Sequence, residues 1–364
     1  MGPCVSRRAS AGLVLTAAGL LVQADGQLPL PWLQKPLHQA LHGHRGHALM
    51  VQGSAGLGTL AFALVLAQSW LCEGRASGQG ADLACGTCGS CRLFHSHVHP
   101  DLLVLLPETL RQQHQWPLSG DKPDAEESKR KPSKQIRIDE VRTMLDWAGK
   151  TSSRGRGKVV VLHPAEALNL QSANALLKTL EEPAAGTRLI LTVADSSTLL
   201  PTVRSRCQQL RLLAPDSSVG QAWLAALGVV EPADLLAACS GRPLDAWALA
   251  QAGVGSASWA RLPQAVARGQ ADVMAGWPVL RALDALQKLC HDAMALAAGA
   301  ESRYFPATAM PPLIAATPAV LLAALGAWSA ELARVARHAE HPWNEPLLLE
   351  ALVTAGARAL HGRY

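Results

Sequence analysis

Two groups of residues in this 364-residue chain have types and spacings suited to chemistry. In LCEGRASGQGADLACGTCGSCRLF, Cys72 is followed after twelve residues by Cys85, Cys88 and Cys91 at C-x2-C-x2-C spacing. Gly86 and Gly89 permit the tight turns that aim neighbouring thiolates at one ion. Four thiolates at ~2.3 Å close a tetrahedral Zn2+ site with no open position, so the expected role is structural. An iron–sulfur arrangement needs a fourth Cys four residues after Cys91, where His95 stands. His95, His97 or His99 in place of Cys72 is the alternative fourth ligand.

The second group is GSAGLGTL, Gly53 to Leu60, which lies between the apolar run ALMVQ and the helical text AFALVLAQSWLC. A strand-to-helix turn of this kind holds phosphates when it reads G-x-x-x-x-G-K-[ST]. Gly53 and Gly58 fit, but Thr59 replaces the Lys and Leu60 the hydroxyl. An ATPase also needs an acidic pair after a later strand, to polarise Mg2+ and activate water. Here KVVVL is followed by His163 and Pro164. The phosphate-sensing side chain falls on Val193 or Ala194, with Thr192 one step early. Four independent elements fail together, so no cofactor binding is expected at the vestigial loop Gly53, Gly58 and Thr59, and no ATP hydrolysis.

The elements that carry these groups follow from short apolar runs at 48–52, 102–106, 158–162, 188–193 and 209–213, with helical periodicity between most of them. Such alternation implies an α/β domain with a parallel sheet covered on both faces. Hydrophobic residues at 49% and charged ones at 17% fit a soluble globular protein. A net charge of +5 permits contact with nucleic acid without requiring it. Eight unevenly spaced cysteines do not form a disulfide framework, so a reducing cytoplasm is expected.

The α/β domain is expected over 28–213, with the zinc module at 72–91. A mobile, mixed-charge insertion is expected at 107–134, where Lys129, Arg130 and Lys131 sit beside acidic residues. Ala/Leu-rich helical text then divides into a small domain at 214–268 and a second at 269–364. Residues 1–27 carry Arg7 and Arg8 ahead of an apolar run and could pass for a signal peptide. The expectation is an N-terminal extension, disordered or translated from a start placed too far upstream. No apolar run reaches 18 residues, so no membrane partner is expected.

SANALLKTLEEP (Ser172 to Pro183) and LPTVRSRC (Leu200 to Cys207) closely resemble the clamp-loader branch of the AAA+ ATPases. HPDLLVLLPE (His99 to Glu108), SGRPLDA (Ser240 to Ala246), HPWNEPLLLEAL (His341 to Leu352), the inserted cysteines and the degraded loop resemble non-catalytic subunits of the bacterial replicative clamp loader. The resemblance implies an AAA+ α/β domain, a helical lid and a helical collar for oligomerisation. It implies a ring-like hetero-oligomer with delta and gamma or tau subunits, which places the sliding clamp on primer-template DNA. It also implies that Arg206, flanked by Ser205 and Cys207 in an S-R-C motif, is an arginine finger reaching a neighbour's γ-phosphate. A permanently charged, forked guanidinium suits that task. Two rivals differ in class: an active ATP-hydrolysing motor of the gamma/tau type, and a zinc-dependent DNA-binding module.

Overall fold

The computed structural model describes residues 17–74, 83–117, 132–313, 317–338, 341 and 343–362. Half of the expected insertion (118–131), the middle of the cysteine segment and residues 1–16 lie outside the described residues. The chain divides into two compact units, 1–213 and 214–364.

In the first unit the order is α1 (Gln34–Gly43), β1 (Ala48–Gln52), α2 (Thr59–Leu71), α3 (Gly89–His95), β2 (Leu102–Leu105), α4 (Glu108–Gln113), α5 (Ile138–Ala148), β3 (Lys158–Leu162), α6 (Leu170–Glu181), β4 (Thr187–Val193), α7 (Pro201–Arg204) and β5 (Gln208–Arg211). The five strands form one sheet in the order β2-β3-β4-β1-β5, and every pair is parallel. Register pairs Gln52 with Val193 and Leu162 with Leu191, so β1 and β4 end level and β3 ends two residues earlier. The chain leaves β1 toward one side of the sheet and β4 toward the other. That reversal opens the crevice at the carboxyl ends of β1 and β4, where ligands of open α/β sheets bind.

Alternate strand residues, among them Met50, Leu103, Val160, Leu162 and Leu189, pack against Val141 and Met144 of α5 and Leu176 and Leu180 of α6. The opposite face meets α2, all thirteen of whose residues are buried. A helix apolar on every side must be covered on every side. Here β1, β3 and β4 lie against α2, and so do α1, α3 and a 3-10 turn at Ala17–Leu20. Burying each of Leu64, Leu66 and Leu71 contributes ~1.5–3 kcal/mol.

The stretch 17–22, expected to belong to a disordered or absent extension, is part of this packing. Leu21 and Val22 have no exposed surface, and Gln68, equally buried on α2, accepts from the Val22 amide at 2.9 Å and donates to its carbonyl at 3.3 Å. A buried side-chain amide needs partners, and an extended backbone supplies both a donor and an acceptor.

The second unit is helical: α8 (Ser217–Ala226), α9 (Pro232–Ala238), α10 (Pro243–Gln251), α11 (Ser256–Ala267), α12 (Val279–Ala297), α13 (Pro318–Arg337) and α14 (Glu345–Leu360). One cluster of buried residues runs from Leu224 through Trp259 and Leu286 to Leu360, across both expected helical domains. Asp292 is buried within it and accepts the amides of Arg303, Tyr304 and Phe305 at 2.8–2.9 Å, which offsets the cost of its burial. Gly356 lets α14 approach Trp328, since a Cβ there would lie 2.5 Å from the indole. By length and composition α13 passes for a membrane span. Its stripe of Leu321, Leu325, Trp328, Leu332 and Val335 is instead buried in this unit.

Candidate functional site

The loop after β1 keeps its turn and has closed over its contents. The Gly53 amide donates to the Val193 carbonyl at 2.8 Å, tying the ends of β1 and β4 together. A Cβ on Gly53 would stand 3.0 Å from that of Leu212 and 3.3 Å from the Thr59 methyl. Ala55–Leu57 form a 3-10 turn whose Leu57 carbonyl accepts from the Trp32 indole at 2.9 Å. Gly58 sits at φ +86°, in the left-handed region that glycine tolerates, and starts α2. Thr59 and Leu60, which stand for the Lys and the hydroxyl, are 3% and 5% exposed. The loop supplies backbone dipoles, but Thr59 offers no ammonium and Leu60 no hydroxyl.

Where the acidic pair belongs, His163 is buried and its Nδ1 lies 2.7 Å from the Thr192 hydroxyl on β4, which also approaches the Leu162 carbonyl. Burial, with a smaller contribution from His114, lowers its pKa to about 4, so the ring is neutral at pH 7. A neutral imidazole bonded to a hydroxyl joins two strands and neither holds Mg2+ nor activates water. Glu166 accepts the amides of Ala194 and Asp195, so this carboxylate caps the end of β4.

This residue makes stability depend on pH. Unfolded, His163 takes a proton near pH 6.5, whereas folded it resists protonation until about 4. The stability it permits is complete above 6.5 and lost as pH falls toward 4, by about 3 kcal/mol in total. His163→Asn is expected to flatten the stability profile between those values, measured by urea unfolding across pH.

The four cysteines meet as the spacing predicts. Their Sγ atoms all lie within 4.8 Å of one another. Cys72 is 3.6 Å from Cys85 and 3.8 Å from both Cys88 and Cys91, while Cys85 and Cys91 are 4.0 Å apart. A tetrahedron with metal–sulfur bonds of ~2.3 Å has edges of ~3.8 Å, so the cage fits such an ion. Amides of Cys85, Cys88 and Cys91 point at the sulfurs of Cys72, Cys85 and Cys88 at 3.3–3.4 Å, which stabilises thiolate. The hydrogen bond shared with Cys91 pulls the Cys72 thiol down to about 4 and holds Cys91 protonated, so the pair titrates as one unit.

Gly86, at φ +72°, is required here, because a Cβ would strike the Gln23 carbonyl at 2.0 Å. The seated stretch after Val22 therefore lies against the cysteine turn. His99 does not join the cage. Its Nδ1 accepts the Asp101 amide at 3.1 Å, which leaves Nε2–H to donate to Ser90 Oγ at 2.7 Å, and that hydroxyl donates to the Leu71 carbonyl. His97 is stacked on Trp116 at 4.3 Å.

In the S-R-C motif, Ser205 is exposed, Arg206 partly exposed and Cys207 buried. Cys207 is buried in the sheet-side core, and desolvation pushes its thiol up to about 11. Arg206 projects from the end of α7 and remains 34% exposed. Its Nη1 donates to the Thr202 carbonyl at 2.8 Å and approaches Ser205 Oγ at 3.4 Å, and its Nε donates to Glu181 at 2.8 Å. From the sequence, Glu181 reads either as part of a subunit contact or as the solvated end of its helix. Its contact with Arg206, twenty-five residues on, leaves no periodic trace. His163 is legible as a missing acid, but its bond to Thr192 is not.

Relatives of this chain share much of it. The family model described as DNA polymerase III, delta subunit, matches residues 32–216. DNA polymerase III subunit delta' of Pseudomonas aeruginosa is 39% identical over 230 residues, covering 62% of each chain. The same subunit of Haemophilus influenzae is 33% identical over 223 residues, covering 59% of each. That of Yersinia pestis is 34% identical over 274 residues, 71% of this chain and 72% of its own. The match thus spans about 60% of the first two relatives' length and more of the third's. With the family model matched over half of the sequence and the third relative covered beyond two thirds, the chain belongs to the DNA polymerase III delta' family.

Proposed function

We propose that this chain is a non-catalytic subunit of the cytoplasmic DNA polymerase III clamp loader. In that role it helps load the sliding clamp on primer-template DNA and supplies Arg206 in trans to an adjacent ATPase subunit. The observation that carries the reading is a contrast within one domain. The chain's own phosphate loop is closed around a buried Thr59, with neutral His163 where carboxylates belong, while Arg206 is displayed on an exposed turn. The partners are delta and gamma or tau subunits. Residues 214–268 would serve as lid and 269–364 as collar, holding the wall that presents Arg206.

Cys72, Cys85, Cys88 and Cys91 would hold Zn2+. With four thiolate ligands the ion has no open position and fixes the fold of the segment.

The isolated chain is expected to release no phosphate from ATP above background, and Thr59→Lys is expected not to restore turnover. The new ammonium would enter a site 3% exposed, and His163 stands where a carboxylate would hold Mg2+. Phosphate-release assays on both proteins, beside gel filtration with delta and gamma subunits, test the reading. Turnover by the isolated chain, or failure to join the complex, overturns it.

A further inference from the structure

The Arg206 guanidinium is already engaged within its own chain. Nε and Nη2 both face Oε1 of Glu181, and Nη1 takes the Thr202 carbonyl and the Ser205 hydroxyl. The Nε/Nη2 edge is one of the forked edges on which a guanidinium takes two oxygens of a phosphate. Glu181 covers that edge. The contacts to Thr202 and Ser205 come from the turn that carries Arg206 and move with it. Glu181 comes from the end of α6, a different element.

We propose that Glu181 is a latch that parks Arg206 against its own subunit, and that the finger engages only by exchanging this carboxylate for a phosphate oxygen. The inference rests on Arg206 acting in trans. The pair is suited to exchange rather than to permanent structure. Its two side chains are 34% and 49% exposed, and a solvent-screened pair of this kind shifts an equilibrium by about fivefold or less. A phosphate carrying more charge than a carboxylate, in a site drier than this surface, wins the competition. Until such a phosphate is present, the parked form lowers the fraction of subunits ready to act, and apparent activity falls by that fraction. Glu181 would therefore tie the finger's action to the arrival of nucleotide in the neighbour.

The test uses the full chain reconstituted with delta and gamma subunits, with ATP hydrolysis followed by phosphate release. Glu181→Ala is expected to raise hydrolysis ~2–5-fold at subsaturating ATP, with a smaller change at saturation. Glu181→Gln should do the same, since it retains a hydrogen-bonding group but loses the charge. In the Arg206→Ala background, Glu181→Ala should be silent. No change in Glu181→Ala, a fall, or a rise that persists without Arg206 would each overturn the latch. If Arg206→Ala alone leaves hydrolysis unchanged, the finger reading fails and the latch with it. The single variants therefore separate the two failures.

Discussion

Arg206→Ala, in a complex reconstituted with delta and gamma subunits, is expected to leave assembly intact while clamp- and DNA-stimulated ATP hydrolysis collapses at the site this residue faces. Arginine fingers supplied in trans are worth ~10³ to 10⁵ in rate, because charge accumulates on phosphoryl oxygens in the transition state and a fixed cation meets it without reorganisation. Assembly is spared because the fold does not depend on the side chain. Cys207 and Val203 hold the turn in the core, while Arg206 stays on the surface in a partly exposed pair. Arg206→Lys is expected to recover little, since an ammonium keeps the charge but loses the planar fork. Rapid-quench measurement of the first turnover checks this, because it counts sites: one site's worth of the burst should disappear, with the remainder unaffected. A full burst in Arg206→Ala would remove the assignment.

That separation of roles within three consecutive residues was only half legible in the sequence. The motif is plain in the string, yet its neighbourhood is not. Glu181 reaches Arg206 from the end of another helix, and Thr192 reaches His163 from another strand, through contacts between residues 25 and 29 positions apart. Periodicity reports which face of an element is apolar and is blind to such pairs.

Strands surrounded by partners were read closely, with β1 and β3 spanning the runs at 48–52 and 158–162. β5 was not, because most of its residues are exposed and polar, unlike those of β2 at the other edge. Gln208 and Gln209 pair with Leu49 and Met50 through backbone alone, so the ladder begins in polar text, and the apolar Leu212 follows after it ends. Residues 20–22 were misjudged for the reverse reason. Their apolar run reads as a leader in isolation, and only the all-round apolarity of α2, which needs an outer cover, calls for them.

The same cover links the four-cysteine cage to the rest of the domain, and removing the proposed Zn2+ should have the largest effect on folding of any change considered. Binding of structural Zn2+ supplies ~10 kcal/mol or more, and the energy appears as folding energy wherever the cage does not exist beforehand. Here the cage joins the end of α2, which carries Cys72, to the start of α3, which carries Cys91. Gly86 in the intervening turn rests on the Gln23 carbonyl. Without the ion, the four sulfurs held within 4.8 Å are joined only by sulfur hydrogen bonds such as that between Cys91 and Cys72, which are far weaker than metal–thiolate bonds. Cys91→Ser, or prolonged chelation, is therefore expected to abolish stoichiometric zinc, lower the thermal midpoint sharply and expose residues 20–27 to protease. Cys290→Ser, at a lone buried thiol of the helical unit, should leave zinc content unchanged and so separates ligand loss from general damage. Metal analysis with thermal unfolding decides the matter. Wild-type zinc content in Cys91→Ser, or a midpoint indifferent to chelator, would show that the cage is not what holds this end of α2 in place.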